Sequence, residues 1–503
     1  MRPCCRAQPR CWPHATRRRK RKAKGRKSKR RKGKASRVAK RYWIETHGCQ
    51  MNVHDSERLS GLLEAAGYEP ASGSEDADVI VLNTCSVRER AEEKLFTRLG
   101  ELQIAAPNGS KPVIAVAGCV AQQEGALLMR RSKAVDVVVG TQAMRRLPLL
   151  VDEALSRRAP DAEGPRPPLV DVAAYDDVTF PLGLARRGDP IKAYVTIIEG
   201  CNEHCAFCVV PHTRGHERMR PLRAILDEVR EAVDTGHPEI HLLGQIVNHY
   251  QAPDAPDCDF AELLRRVGQL DGVRRIRFAS PHPRHVTPGM IEAMRDVSAV
   301  CRHLHLPVQS GSTDVLRLMR RRHSRDDYLG LVDRIRERIP GIALSTDLIV
   351  GFPGESDSDF EATLSLVRRV QFSSMFSFKY SARPQTLAVK RMPDDVADEE
   401  KTRRIVELQA AQKSIQSEIH QRLVGTAVDV LVDGRSRRRP QELAGRTSTN
   451  TVVNFEGHED LLGRFVRVGV TRAGANGVWG QVVGDDRVSR AESHAAAGGT
   501  SEG

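Results

Sequence analysis

Short apolar segments recur along the first third of the chain, and a cysteine directly follows each of them. The three segments are residues 42–48, 79–84 and 113–118. The three cysteines, spaced 36 and 34 residues apart, are Cys49, Cys85 and Cys119. This spacing matches one β-α-β unit. The intervening residues 55–66 and 87–101 have helical character, and Asp55 or Ser56 is expected to cap the first helix.

Apolar strands that alternate with helices predict a parallel sheet buried on both faces. The loops after the carboxyl ends of such strands gather along one edge of the sheet. We therefore expect Cys49, Cys85 and Cys119 to converge. Any one of them could be an inert core thiol. Three at equivalent positions instead indicate a metal site with one coordination position open.

The middle of the chain alternates strand-like segments with helical stretches such as residues 222–235. The strand-like segments are residues 193–198, 239–244, 275–280, 302–308, 342–351 and 372–380. Six strand–helix units predict an incomplete relative of the (β/α)8 barrel, whose functional residues lie at the carboxyl ends of the strands. Polar residues at or near such ends are Ser280, Gln309, Ser310 and Asp347. Each of them could instead cap a loop.

The C-terminal part changes to apolar–polar alternation with a period of two, which predicts a compact β-barrel. Its strand-like segments are residues 426–432, 451–455, 464–470 and 477–483. Four arginines crowd one loop, at Arg435, Arg437, Arg438 and Arg439, and Arg446 follows. A solvated charged loop is one interpretation, and contact with RNA phosphates is the one that we favour.

These patterns predict a multidomain α/β protein with a parallel α/β domain, a partial (β/α)6 barrel and a small β-barrel. The expected segments are an arm at 1–41, a first domain at 42–155, a Pro-containing linker at 156–189, a barrel at 190–420, a small barrel at 421–485 and a disordered tail at 486–503.

The formal net charge of +15 over 503 residues is concentrated in the N-terminal arm. The first 40 residues contain 19 Lys and Arg residues and no acidic residue. We expect this arm to be disordered. It could tether RNA through charge alone, or it could be an extension without a role, including one from a wrongly chosen start codon. No apolar run approaches the ~18 residues of a membrane span, and no signal peptide is recognisable, so we expect a cytoplasmic protein without membrane contact.

Eleven cysteines in such a chain favour metal ligands or redox chemistry over disulfide bonds. Those for which we expect no functional role are Cys4, Cys5 and Cys11 in the arm and the buried Cys258 and Cys301. The remaining six form the group described above and a second, tighter group.

The second group, Cys201, Cys205 and Cys208, has the spacing C-x3-C-x2-C and follows a strand. Zinc is the alternative occupant, because three histidines lie nearby, His204, His212 and His216. However, no second cysteine pair follows downstream. Three thiolates on one loop can hold three irons of a 4Fe–4S cluster and leave the fourth iron open. An open iron can bind the amino and carboxylate groups of S-adenosylmethionine, whose reductive cleavage gives a 5′-deoxyadenosyl radical.

This loop resembles the signature of the radical S-adenosylmethionine superfamily, and further motifs resemble the methylthiotransferases within it. These motifs are Glu-Gly-Cys-Asn at 199–202, Cys-Val-Val-Pro-His-Thr-Arg-Gly at 208–215, Leu-Pro-Val-Gln-Ser-Gly-Ser at 306–312, Gly-Phe-Pro-Gly-Glu at 351–355 and Tyr-Ser-Ala-Arg-Pro at 380–384. The small C-terminal barrel resembles the RNA-binding TRAM domain. The resemblance extends over about residues 42–485.

Two N-terminal motifs most resemble the branch that acts on N6-dimethylallyladenosine in tRNA. They are His-Gly-Cys-Gln-Met-Asn at 47–52 and Asn-Thr-Cys-Ser-Val-Arg-Glu-Arg at 83–90. This chain departs from the branch at Ile246, where the branch usually has Asn, although Gln245 and Asn248 remain. The departure puts in doubt a hydrogen bond from that side chain.

The resemblance implies an enzyme that adds a methylthio group to carbon 2 of N6-dimethylallyladenosine next to the anticodon. It uses two S-adenosylmethionine molecules, one as methyl donor and one as radical source. Cys201, Cys205 and Cys208 would hold the radical-generating 4Fe–4S cluster. A second, auxiliary 4Fe–4S cluster would be held by Cys49, Cys85 and Cys119. The candidate residues for binding S-adenosylmethionine are Ser280, Gln309, Ser310, Asp347, Gln245 and Asn248.

The implied partners are the anticodon stem-loop of tRNA and an electron donor such as flavodoxin or ferredoxin, with the enzyme as a monomer. Two alternatives stay open at this point. One is a sister methylthiotransferase that acts on threonylcarbamoyl-adenosine or on a ribosomal-protein aspartate. The other is a non-catalytic RNA-binding protein that contains zinc.

Overall fold

The computed structural model describes residues 39–86, 89–104, 111–158, 167–175 and 183–483. Most of the predicted arm, with Cys4, Cys5 and Cys11, and all of the predicted tail lie outside these ranges. No helix within the described ranges is both long and apolar enough to span a membrane.

The first domain is a six-stranded parallel sheet in the order β2-β1-β3-β4-β5-β6. Its strands are β1 (Arg41–His47), β2 (Glu69–Pro70), β3 (Val79–Thr84), β4 (Val113–Gly118), β5 (Val137–Val139) and β6 (Leu169–Asp171). Its helices are α1 (Gln50–Ala65), α2 (Glu89–Ile104), α3 (Cys119–Glu124), α4 (Leu127–Arg131) and α5 (Leu147–Ser156). One apolar cluster joins the sheet to α1 and α5, and a second joins its other face to α2, α3 and α4. The predicted parallel sheet buried on both faces is thus confirmed.

Two details of this domain differ from the sequence analysis. Helix α1 begins at Gln50 with Cys49 as its N-cap, so the predicted cap at Asp55 or Ser56 is wrong. The side chain of Asn52 accepts a hydrogen bond from the backbone N–H of Cys49 (3.3 Å), which starts the helix five residues earlier than expected. In addition, β6 lies inside the predicted linker at 156–189, because its backbone continues the ladder of β5.

The second domain has the six predicted strands, all parallel, in two sheets ordered β11-β10-β7 and β12-β13-β14. A single bridge between Ile276 and Val300 connects the sheets into one open, curved wall. The strands are β7 (Lys192–Thr196), β10 (Glu239–Leu243), β11 (Arg275–Phe278), β12 (His303–His305), β13 (Ala343–Val350) and β14 (Ser374–Lys379). A short antiparallel pair, β8 (Ile198–Glu199) and β9 (Arg218–Met219), flanks the loop that carries Cys201, Cys205 and Cys208, called the cysteine loop below.

Helices cover the outer face of this wall, and their apolar sides form the largest core of the protein, in which Cys258 is buried. They are α7 (Leu222–Asp234), α8 (Phe260–Gly268), α9 (Pro288–Asp296), α11 (Arg325–Arg338), α12 (Asp357–Val370) and α14 (Asp398–Gln421). The short helices α6 (Val210–Arg214), α10 (Thr313–Leu318) and α13 (Leu387–Arg391) contribute no residue to this core, and α10 and α13 pack in a smaller cluster with Phe352 and Tyr380. Helix α7 agrees with the predicted helix at 222–235. Cys301 is also buried, as expected.

The third domain is a closed five-stranded barrel in the order β15-β16-β17-β19-β18. Its strands are β15 (Ala427–Arg435), β16 (Glu442–Arg446), β17 (Val452–Glu456), β18 (Phe465–Gly474) and β19 (Gly477–Val482). Strand β16 was not predicted, because its sequence does not alternate clearly between apolar and polar residues. This small barrel contacts the amino ends of the strands in the second domain. There, Lys192 of β7 pairs with Asp433 of β15 (2.8 Å), and Arg275 of β11 donates to the carbonyl of Arg446 in β16 (2.5 Å). The loop with Cys201, Cys205 and Cys208 lies at the opposite, carboxyl end, after β7 and β8.

Candidate functional site

The first cysteine group is brought together by three neighbouring strands. Cys85 and Cys119 directly follow β3 and β4, and one residue, Gly48, separates Cys49 from the end of β1. The packing is close, since a Cβ atom added to Gly48 would lie 2.8 Å from the Cβ atom of Cys85. The predicted convergence of these three residues therefore agrees with their placement along one sheet edge.

The surroundings of Cys49 favour ionisation of this thiol. A hydrogen bond with Cys85 lowers the pKa of Cys49 to about 6, although burial opposes the shift, and the charge of Arg214 contributes in the same direction. Burial raises the pKa of Cys119, while Arg214 acts against that rise. Cluster ligands bind as thiolates, so the donor set and its positive neighbour fit an iron–sulfur cluster at this edge.

The second cysteine group lies on the loop between β8 and α6, at the carboxyl end of β7. Two donors approach its sulfur atoms, the backbone N–H of Glu203 to Cys201 Sγ and Arg321 Nη1 to Cys205 Sγ, each at 3.5 Å. Burial raises the pKa of Cys201 to about 11 and that of Cys208 to about 12. These thiols are therefore protonated at neutral pH without a cluster, and loading would release protons.

The zinc alternative gains no support from the part of the chain that the structure describes. There, no group of three or more His, Cys, Asp or Glu side chains converges closely enough to hold one metal ion. A 4Fe–4S cluster needs no such point of convergence, because each thiolate binds a different iron. The three histidines considered as zinc ligands, His204, His212 and His216, are exposed.

The candidate residues for S-adenosylmethionine fall into different environments. Ser280 and Gln309 have positive backbone φ angles of 60° and 79°, which non-glycine residues rarely adopt. Gln309 exchanges backbone hydrogen bonds with Asp347 and Ile349 (both 2.9 Å), so it extends the pairing of β12 with β13. Asp347 lies within β13 and pairs with His305 (3.3 Å).

Two other candidates form hydrogen bonds with the backbone of the loops at the strand ends. Ser310 is fully buried, and its hydroxyl accepts from the backbone N–H of Ser312 (3.2 Å). Asn248 exchanges two hydrogen bonds with the backbone of His282. Gln245 is different, because its buried Oε1 has no hydrogen-bond partner among the described residues. An unsatisfied buried acceptor fits a ligand that donates a hydrogen bond, such as the amino group of S-adenosylmethionine.

Sequence reasoning missed a cluster of histidines around the second cysteine loop. His249 and His285 stack with 4.3 Å between ring centres, and His285 bonds to Glu203 (2.8 Å), a residue inside the loop. His282 packs beside His285 and His323. The histidine-containing stretch at 281–285 offered a signal, but spacing along the chain does not reveal contact with a loop some 80 residues away.

Sequence reasoning also missed Arg214 as a neighbour of the first cysteine group. The residue comes from the second domain, immediately after the cysteine loop, and its guanidinium pairs with the buried Asp55 of α1 (2.5 Å). Burial alone would lower the pKa of Arg214, but the carboxylate of Asp55 and the nearby thiols raise it well above its ordinary value. The arginine was visible only as part of the family motif at 208–215.

Comparison with known proteins assigns each domain. Residues 41–140 match the uncharacterized protein family UPF0004, residues 195–367 match the radical SAM superfamily, and residues 421–483 match the TRAM domain. Among solved structures, a radical S-adenosylmethionine methyltransferase, TsrM from Kitasatospora setae, has a TM-score of 0.51 at 14% identity and covers 81% of each chain. That likeness concerns the fold.

Curated relatives match nearly the whole chain. A protein from Alkalilimnicola ehrlichii is 44% identical and covers 89% of this chain and 98% of its own length. One from Aquifex aeolicus is 42% identical and covers 89% and 99%. Both are named tRNA-2-methylthio-N(6)-dimethylallyladenosine synthase. With this identity over all three domains, and with both cysteine groups at the ends of their strands, the chain belongs to the family of the tRNA-2-methylthio-N(6)-dimethylallyladenosine synthases.

Proposed function

We propose that this enzyme adds a methylthio group to carbon 2 of N6-dimethylallyladenosine next to the anticodon of tRNA. The observation that carries the proposal is identity of 41–44% with synthases of this name over 86–89% of the chain. The names of these relatives favour this substrate over the threonylcarbamoyl-adenosine or protein aspartate of the sister branches.

The second cysteine group is assigned to the radical-generating cluster. Cys201, Cys205 and Cys208 would hold it, and the cluster with one open iron supplies reductive cleavage of S-adenosylmethionine. Arg321 donates to Cys205 Sγ (3.5 Å) and to the carbonyl of Pro307 (2.8 Å), so it ties the loop to the end of β12. Gln245 offers its unsatisfied Oε1 to the cosubstrate.

The first cysteine group is assigned to the auxiliary cluster, which carries or donates the sulfur. Cys49, Cys85 and Cys119 would hold it. Two asparagines join α1 to β3 behind these ligands, because the side chain of Asn83 donates to the backbone carbonyl of Asn52 (2.8 Å) and accepts from the side-chain amide of Asn52 (3.3 Å). Such support around a cluster maintains the orientation of its ligands.

Aromatic side chains on the inner face of the second domain's partial barrel support recognition of the dimethylallyl group. The register pairs Asp347 with Phe376 and Ile349 with Phe378 along β13 and β14. The side chains between them, such as that of Leu348, belong to the core on the opposite face. Phe376 is 55% exposed and Phe378 37% exposed, on the last strand at the open side of the barrel. Apolar and aromatic surface of this kind suits a base that carries a five-carbon apolar group.

The small barrel is assigned to tRNA binding through phosphates. Its arginines are not equivalent, because Arg435 pairs with Glu459 and Arg439 pairs with Glu442. Arg437 and Arg438 are exposed on the same loop and have no acidic partner within the described ranges. These two are therefore the stronger candidates for phosphate contact.

The remaining assignments follow from the chemistry. Reductive cleavage requires a one-electron donor, for which a flavodoxin or a ferredoxin is suited. We assign the enzyme to the cytoplasm, where tRNA is modified, and we take the monomer as the active form.

Anaerobic turnover tests the proposed function. The reconstituted enzyme is incubated with a reductant, S-adenosylmethionine and an anticodon stem-loop that carries dimethylallyladenosine, and the nucleosides are analysed by mass spectrometry. We expect a methylthio group in place of one hydrogen, and little product from the same RNA without the dimethylallyl group. Equal rates on both RNAs, or product only from threonylcarbamoyl-adenosine, would contradict the proposal.

A further inference from the structure

Helix α1 connects the two cysteine groups physically. Cys49 is its N-cap, and its residues Asp55 and Arg58 contact the second domain. Asp55 Oδ2 lies 2.5 Å from Arg214 Nη2, and Arg58 Nη1 lies 2.9 Å from Glu199 Oε1. At 1.5 Å of rise per residue, these contacts lie about 9 Å and about 14 Å along the helix from Cys49.

The two partners of α1 bracket the second cysteine loop. Glu199 precedes Cys201 by two residues, and Arg214 follows Cys208 by six. The pairing of β8 with β9 joins Glu199 to Arg218, so the base of this loop is closed. One helix of the first domain therefore holds both ends of the loop that carries the other cysteine group.

Further contacts hold the segment around Arg214 against the first domain. Thr141 Oγ1 donates to the carbonyl of Thr213 (2.5 Å), and Gln142 Nε2 donates to the carbonyl of Arg214 (3.2 Å). Gly215 has a φ of +75°, and a Cβ atom there would lie 2.2 Å from Gln142 Nε2. The positive φ favours glycine after Arg214, and a larger residue would also displace the Gln142 amide that holds the segment.

Burial makes these ion pairs unusual. The side chains of Asp55 and Arg214 are 2% and 6% exposed, and those of Arg58 and Glu199 are 5% and 14% exposed. Apolar residues of similar volume often stabilise such an interface as well or better, so buried ion pairs indicate a requirement for defined geometry. In one pair α1 supplies the acidic residue, Asp55, and in the other it supplies the basic residue, Arg58. A shift of α1 along the loop would therefore place like charges together or leave charges unpaired, so the two pairs permit only one register.

We propose that the pairs Asp55–Arg214 and Arg58–Glu199 form a clamp that sets the distance and orientation between the two clusters. The inference rests on the proposed function, because it takes both cysteine groups as cluster ligands. The substrate carbon must reach both the radical and the sulfur, and a misplacement of about 1 Å can reduce a rate by about a hundredfold. The four residues act as positioning residues, since they act through the cluster loops.

The test uses full-length enzyme with both clusters, as Arg58→Gln, Asp55→Asn and the conservative Arg58→Lys. Arg98→Gln is the control, because Arg98 forms a less buried ion pair with Glu45 (2.7 Å) that lies entirely within the first domain. Iron content shows whether each variant holds its clusters. Pulsed dipolar EPR on the reduced enzyme measures the interaction between the two clusters, and product analysis gives 5′-deoxyadenosine and methylthiolated RNA from the same reaction.

We expect Arg58→Gln and Asp55→Asn to retain iron and to form 5′-deoxyadenosine. The distribution of dipolar couplings between their two clusters should become broader. The amount of methylthiolated RNA formed per 5′-deoxyadenosine should fall about tenfold or more. Arg58→Lys should recover most of both properties, and Arg98→Gln should match the unmodified enzyme. An unchanged dipolar spectrum and product ratio in both clamp variants would overturn the proposal, and so would loss of iron from either one. Failure of the unmodified, fully loaded enzyme to methylthiolate RNA would instead refute the proposed function.

Discussion

Asn248 and His282 are joined by two hydrogen bonds between neighbouring strand-end loops of the barrel. The side-chain amide of Asn248 donates to the carbonyl of His282 (3.0 Å), and its oxygen accepts from the backbone N–H of His282 (2.8 Å). Burial and nearby positive charges lower the pKa of His282 far below its ordinary value, so the ring is neutral. Asn248 thus fixes the loop that presents this ring beside the cysteine loop.

The first prediction follows from this pair. Asn248→Ala should leave a buried backbone N–H and carbonyl unsatisfied and lower the free energy of unfolding by about 2–4 kcal/mol. Binding of S-adenosylmethionine by the loaded enzyme should change little if the loop refolds around the smaller side chain. Thermal unfolding and equilibrium binding measure the two effects. Unchanged stability with a large loss of binding would show instead that Asn248 contacts the cosubstrate directly.

Glu57 gives a prediction about pH. Burial raises the pKa of Glu57 from 4.5 to about 7, and the backbone N–H of Gly188 and the charge of Arg187 only partly oppose the rise. The neutral carboxyl therefore favours the folded state. This stabilisation is fully present below about pH 4.5 and is lost as the pH rises through about 7.

Glu57→Gln should therefore be more stable than the unmodified enzyme at pH 8, by up to about 3 kcal/mol, and should show no such advantage near pH 4.5. Thermal unfolding followed by circular dichroism across this pH range measures the difference. Glu93→Gln, at an exposed position of α2, is the control and should leave the pH profile unchanged. A Glu57→Gln profile parallel to that of the unmodified enzyme would contradict this assignment.

Phe376 provides a prediction about substrate choice. Phe376→Ala removes exposed aromatic surface from the inner face of the second domain's partial barrel. It should therefore raise the KM for RNA with the dimethylallyl group about tenfold, which corresponds to ~1.4 kcal/mol of binding free energy. The low activity on unmodified RNA should not change further. Phe376→Leu, which keeps apolar surface, is the matched variant and should lose less. If Phe376→Ala impaired both RNAs equally, the side chain would support the strand and not the substrate.

Much of the architecture could be predicted from local pattern. The strands β3 and β4, with a cysteine after each, are visible because burial on both faces produces continuous apolar runs. The C-x3-C-x2-C loop is equally visible, since one loop supplies all its ligands. By contrast, β6 and β16 are short and lack a clear alternation, so their place in a sheet depends on neighbours distant in sequence.

The finer chemistry of the site could not be predicted in the same way. Asp55 was expected to be a helix cap, yet it pairs with Arg214, 159 residues away. Asn248 and Ser310 have the residue types that bind cosubstrates, but Asn248 satisfies backbone groups of the neighbouring loop and Ser310 a backbone group of its own loop. Local sequence specifies which groups can form hydrogen bonds, whereas the fold determines which of them are left for a ligand, as with Gln245.

The central claim is that two cysteine groups on two domains hold separate clusters with separate tasks. The most direct measurement compares the variant with Cys49, Cys85 and Cys119 all replaced by Ala with the unmodified enzyme, for iron content and for both products of anaerobic turnover. The variant should contain about half the iron, should still form 5′-deoxyadenosine, and should transfer no sulfur, because a cluster cannot be held without its thiolates. Full iron content together with full methylthiolation in this variant would contradict the account.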